Sequence, residues 1–91
     1  MEDMKNSIRS VLKRNGAVKV GLFGSMARGE AKPGSDVDIF VKFDPNKKVS
    51  LFDLIEIQAQ LERNLRRRVD LVTKLNKYVE PYAKKDMIKI I

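Results

Sequence analysis

The sequence predicts an α/β (α+β) domain, a small mixed sheet of three to four strands flanked by helices. Three observations carry that prediction. Helical and strand periodicities alternate along the chain. Turn-forming residues separate the periodic segments at Gly24-Ser25, Gly34-Ser35 and Asp44-Pro45-Asn46. The length of 91 residues suits one hydrophobic core, so residues 1–91 are expected to form a single domain.

Met4, Ile8, Val11 and Leu12 recur at helical spacing. A first helix over residues 2–14 follows, with Lys13 and Arg14 in its last turn and Gly16 placed to stop it. In residues 17–23, Val18, Val20 and Leu22 alternate with Lys19, Gly21 and Phe23, the period of a strand, and the strand runs into Gly24-Ser25. Residues 25–31 suit a short helix, and residues 31–35 a reversal of the chain. Asp36 to Phe43 is rich in β-branched and aromatic residues and is the strongest strand. Alternation there puts Asp36, Asp38 and Phe40 on one side and Val37, Ile39, Val41 and Phe43 on the core side.

Ser50 followed by Asp53 is a helix-start signature, and Leu51, Leu54, Ile55, Leu61 and Leu65 continue at helical spacing to about Leu65. Arg66-Arg67-Arg68 closes this helix. Residues 69–73 read as a third strand, with Val69 and Leu71 opposite Asp70 and Val72. Pro81 suits the first turn of a final helix carrying Tyr82, Met87, Ile88 and Ile91. Tyr78 and Tyr82, with Ile88, Ile90 and Ile91, serve either core packing or the docking of a partner or a second copy, which leaves a homo-oligomer open.

The chain contains neither cysteine nor histidine. Disulfides, thiolate nucleophiles, histidine-based triads and His- or Cys-ligated zinc are thereby excluded. Carboxylates, hydroxyls, amines, guanidinium groups and the backbone remain for chemistry. Apolar runs are short and the start, Met1-Glu2-Asp3-Met4-Lys5, has no hydrophobic signal core, so a cytoplasmic protein without a membrane span is expected. The net charge of +7 is uneven, with 8 basic and 6 acidic residues in 1–46 against 11 and 6 in 47–91. Such a surface attracts polyanions. Nucleic acid is among them, although no helix-turn-helix or interleaved aromatic motif supports it. The cluster of Arg63, Arg66, Arg67 and Arg68 suits either a solvated helix end whose charge complements the macrodipole or a surface that binds RNA or a partner. A chain this short has little wall for a deep site, which points to a partner for any large substrate.

Asp36 and Asp38 share a strand face, and Asp70 lies in a strand able to neighbour it. Converging carboxylates repel unless cations neutralise them, and hard oxygen ligands of this kind suit Mg²⁺ or Mn²⁺ bound together with substrate phosphates. Upstream, Gly24-Ser25 between a strand and a short helix presents backbone N–H groups and a hydroxyl where an anion can sit. Arg28, one turn on, is within reach of a phosphate oxygen.

Gly24-Ser25, ten residues, then Asp36-Val37-Asp38, with a later Asp in an apolar strand, resembles the signature of the DNA polymerase β-type nucleotidyltransferase superfamily. Gly24-Ser25-Met26-Ala27-Arg28-Gly29 and Ser35-Asp36-Val37-Asp38-Ile39 look more narrowly like the minimal nucleotidyltransferase domains of prokaryotes. The resemblance implies the nucleotidyltransferase fold and ATP as substrate. It also implies transfer of AMP to a tyrosine of a helical HEPN-type toxin partner, with this chain as the antitoxin. Gly24 and Ser25 would hold the β- and γ-phosphates. Asp36, Asp38 and Asp70 would bind two Mg²⁺ ions about 3.5–4 Å apart that clamp an in-line displacement, and Asp70 could also accept the proton. Transfer to a small molecule or an RNA end would use the same residues. A non-catalytic antitoxin that only occludes its partner would use none of them.

Overall fold

Two helices cover one face of a four-stranded sheet. The other face is mostly open. The structure, a computed structural model, describes residues 2–29, 32, 34–75, 77, 78 and 80–91, with residue 82 described by its backbone. The elements are α1 (Glu2–Arg14), β1 (Ala17–Phe23), α2 (Ser25–Arg28), β2 (Val37–Phe43), α3 (Leu51–Leu65), β3 (Val69–Val72), α4 (Glu80–Asp86) and β4 (Ile88–Lys89). The strand order is β3-β2-β1-β4. β1 runs antiparallel to β2 and to β4, whereas β2 and β3 are parallel. Parallel neighbours need a crossover, and α3 provides it. Among the described residues no helix is long and apolar enough to cross a membrane.

The core joins Ile8, Val11 and Leu12 of α1 to Val20 and Leu22 of β1, Val37, Ile39 and Val41 of β2, and Ile57 and Leu61 of α3. Period two turns the intervening β2 residues Asp38, Phe40 and Lys42 to the opposite face. α4 crosses part of that face. A Cβ on Gly21 would collide with the Met87 side chain, so the absence of one lets the chain after α4 lie against β1.

Four sequence expectations change in the folded chain. Val18 is 51% exposed, because the β1–β2 register shifts between Ala17 and Lys19 and the extra residue turns outward as a β-bulge, leaving Ala17 in the core. Asp36 precedes β2, which begins at Val37. On α3, Leu51 and Ile55 are exposed, and Ile57 with Leu61 makes the buried contact, so the inward stripe is set by the docking of α3 on α1 and β3. The last helix ends at Asp86, and residues 88–89 form β4 instead of continuing it. That edge strand lets Ile90 enter the core and joins α1 through a hydrogen bond from Arg9 Nε to the Ile90 carbonyl. Tyr78 is exposed, while the Tyr82 side chain and residues 31 and 33 of the expected reversal lie outside the described residues.

The start of α3 follows its sequence signal. Ser50 Oγ accepts from the Asp53 N–H at 3.1 Å and Asp53 Oδ2 accepts from the Ser50 N–H at 2.9 Å, which completes a capping box. Ser50→Ala is expected to cost about 1 kcal/mol, read as a lower urea midpoint. Asp53 adds a pH dependence. Hydrogen bonds from the Ser50 backbone, and then from its hydroxyl, hold the Asp53 carboxyl below the ordinary carboxylate value. The folded chain thus binds that proton less readily than the unfolded chain. The stabilisation is full above the unfolded value and disappears as pH falls through the folded one. Urea midpoints of Asp53→Asn should lie below those of the parent at neutral pH and converge on them in acid.

Candidate active site

Asp38 is the second residue of β2 and Asp70 the second of β3, and the parallel register places them side by side. Adjacent strands lie about 4.8 Å apart. Val37 and Val69, their buried neighbours, anchor both strands on the core side, so the two carboxylates share the open face. Two contacts hold the start of this ladder: the Val37 N–H donates to the Arg68 carbonyl at 2.8 Å, and the Val69 N–H donates to Glu62 Oε2 at 3.0 Å. Glu62 therefore ties α3 to the strand that carries Asp70.

Asp36 lies exposed just before β2. The reversal ahead of it is closed by Ser35, whose N–H donates to the Lys32 carbonyl and whose Oγ accepts from the Lys32 N–H. The Arg67 guanidinium also donates to the Lys32 carbonyl, at 3.2 Å. Arg67 thus tethers the segment leading to Asp36, a role without a sequence signal because its partner is 35 residues away.

Across β1, Phe23 pairs with Asp38, which brings Gly24 against the same carboxylate. Gly24 has φ 74° and ψ −152°, backbone space open essentially to glycine. A Cβ there would collide with Asp38 Oδ2 and stand 3.1 Å from its Cγ. The bend is therefore a cradle in which backbone and carboxylate meet directly. Ser25 opens α2 behind it, and the first N–H groups of a helix have no acceptor within the helix. Gly29, in the left-handed region, ends α2 after Arg28.

Electrostatics links these groups. Partial burial raises the Asp38 carboxyl above its ordinary value, and the charges of Asp70 and then Asp36 raise it further, while Arg28 pulls it down. The charges of Asp70, Asp36 and Arg28 thus all bear on the Asp38 carboxyl. Among the described residues, no three Asp, Glu, His or Cys side chains close into a cage ready to hold a metal ion. Asp36 enters from outside the strand, and like charges favour separation. The structure brings Asp38, Asp70, Gly24, Ser25 and Arg28 to one end of the open face, with Asp36 at its rim.

The comparisons with known proteins agree with this geometry. A family model described as a nucleotidyltransferase domain matches residues 4–90. The chain belongs to the nucleotidyltransferase family. A Methanocaldococcus jannaschii relative, provisionally named a protein adenylyltransferase, is 41% identical over 86 residues, covering 90% of this chain and 86% of its own. A solved toxin–antitoxin complex with AMP-PNP aligns at a TM-score of 0.81 and 23% identity, over 96% of this nucleotidyltransferase and 72% of that chain. The complex of tri-AMPylated Shewanella oneidensis HEPN toxin with its MNT antitoxin aligns at 0.73 and 21% identity, over 97% and 69%. At these identities the two complexes establish the shared fold. The nucleotidyltransferase thus has the predicted mixed sheet, completed by a fourth strand.

Proposed function

We propose that this nucleotidyltransferase moves AMP from ATP to a tyrosine hydroxyl of a HEPN-type toxin in the cytoplasm and thereby acts as the antitoxin, with residues 1–91 forming a single domain. The observation that carries the reading is the meeting of the Gly24 bend, Asp38 and Asp70 at one point of the open face. The names of the similar proteins, an adenylyltransferase and an AMPylated toxin with its antitoxin, support AMP as the group moved and a toxin protein as its acceptor.

The donor set suits Mg²⁺, because Asp36, Asp38 and Asp70 offer only hard carboxylate oxygens. Gly24 lets the Asp38 carboxylate lie against the backbone, and the N–H groups that open α2 after the bend suit a phosphate. Two Mg²⁺ ions held by those three residues would supply Lewis-acid stabilisation of the charge that develops on the transferring phosphate. Gly24 and Ser25 bind the β- and γ-phosphates through N–H groups and the Ser25 hydroxyl. Arg28 adds a positive charge beside them. Asp70 accepts the proton of the attacking tyrosine hydroxyl. The tyrosine oxygen then bonds to the α-phosphorus, the α–β phosphoanhydride bond breaks, and pyrophosphate leaves on the Gly24 side.

The test is incubation with α-labelled ATP, Mg²⁺ and the product of the neighbouring gene. Label should appear on that product as a tyrosine-linked AMP. Label on RNA or a small molecule instead would displace the acceptor assignment. Full neutralisation of the partner without any label would favour occlusion.

A further inference from the structure

A second feature of the open face lies beyond the acidic groups. A cavity of about 500 Å³ opens where Lys19, Lys42, Lys74 and Lys84 surround Phe40 and Leu75. Glu80, the one acidic side chain in its described lining, is ion-paired to Lys84. Lys19 and Lys42 are exposed Cα partners across the antiparallel β1–β2 pair. Like charges directly opposite one another destabilise a sheet. Their pairing here works against folding and calls for an anionic counterpart.

The position of the cavity says which counterpart. Phe40 follows Asp38 by two residues on the same face of β2, about 7 Å along the strand, and Thr73 and Lys74 follow directly on the strand of Asp70. The Gly24 bend lies at the opposite end of β1 from Lys19. Phe23, Asp38 and Asp70 form one row across the sheet, with the bend at its β1 end and the basic cavity beside the row, farther along the strands. An in-line displacement requires the attacking group to arrive opposite the leaving group. If pyrophosphate departs toward Gly24, the acceptor arrives at the Asp70 end of that row, where the chain runs on from β3 into Thr73 and Lys74 of the cavity wall.

We propose that this cavity is the acceptor dock, and that it takes an acidic protein segment flanking the hydroxyl that is modified. The proposal rests on the nucleotidyl-transfer reading above and names its substrate class. Lysine ammonium groups are compact charges suited to scattered carboxylates, whereas single-stranded RNA favours a row of stacking rings along a groove. Phe40 is the one aromatic side chain in the described lining.

The test uses the full chain and a fluorescent nonapeptide with one tyrosine between two runs of four glutamates. A glutamine counterpart, an octauridylate and Mg²⁺-ATP serve as further probes. Anisotropy should show the glutamate peptide binding at least tenfold more tightly than the glutamine one. Lys42→Glu and, separately, Lys74→Glu should each weaken it by about tenfold, whereas Lys47→Glu should not. Lys42→Glu should also raise the melting temperature, because it turns a like-charged pair into an opposite-charged one. That gain distinguishes lost docking from misfolding. Equal peptide affinity in parent and variants would overturn the dock. Tighter octauridylate binding, lost in the same variants, would assign the surface to RNA, and loss of the Mg²⁺-ATP thermal shift in them would assign it to the donor nucleoside. Absence of that shift in the parent would instead refute the nucleotidyl-transfer reading, whatever the peptide does.

Discussion

Asp38→Asn should reduce AMP transfer by a factor on the order of 10³ or more while leaving the domain folded and, in EDTA, more stable than the parent. The loss follows from position. Asp38 lies between Gly24 and Asp70, so on the proposed reading a cation set against the transferring phosphate would be held by it. Metal-assisted stabilisation of transition-state charge is worth several kcal/mol, and each 1.4 kcal/mol is about tenfold in rate. The gain in stability follows from the charge. Burial, Asp70 and Asp36 all disfavour the ionised Asp38, so its carboxyl titrates above the ordinary value. The folded chain then binds that proton more readily than the unfolded chain, and stability contributed by Asp38 falls as pH rises through its folded pKa. Asparagine removes the penalty. Melting temperatures of parent and variant in EDTA across pH 4–8 should separate as pH rises, with the variant higher. On addition of Mg²⁺-ATP the parent should overtake it. A variant that keeps more than a tenth of the parent rate would remove Asp38 from the chemistry.

Gly24→Ala should impair both fold and activity. Alanine at φ 74° and ψ −152° carries backbone strain of about 1–3 kcal/mol. Its Cβ would also drive the Asp38 carboxylate away from the bend. Pairing with Phe23 and Asp70 fixes the Asp38 backbone, so only rotation of its short side chain away from the bend can relieve the contact. The expected result is a lower urea midpoint, loss of the thermal shift with Mg²⁺-ATP, and transfer reduced at least as much as in Asp38→Asn. Gly29→Ala is the control. Gly29 has a similar positive φ of 73°, yet nothing stands within 4 Å of a Cβ there. It should lose stability through backbone strain and retain nucleotide binding. If the two alanine variants behave alike, the close approach at Gly24 has no special part in the site.

Much of the architecture could be read from local signals. The Ser50–Asp53 box sets the start of α3, and the alternation of Val37, Ile39 and Val41 with Asp38, Phe40 and Lys42 sets the faces of β2. Local pattern and folded position part where contacts compete. Ile55 and Ile57 are both apolar and near in sequence, and only the docking of α3 decides that Ile57 is buried. Ile88 fits a helix as well as a strand, and pairing with the edge of β1 decides for the strand. Val18 leaves the core because the partner strand supplies one residue fewer across the bulge.

The sequence by itself determined the chemical inventory, namely carboxylates, a Gly-Ser bend and an excess of lysine and arginine, together with the order of helices and strands. Spacing along the chain governs these because helical and strand periods are local. Tertiary structure alone decided that Asp70 stands beside Asp38, that Gly24 touches the same carboxylate, and that Lys19 faces Lys42. Those are contacts between residues 14 to 32 positions apart, set by strand pairing and by the crossover through α3, and no local period encodes them.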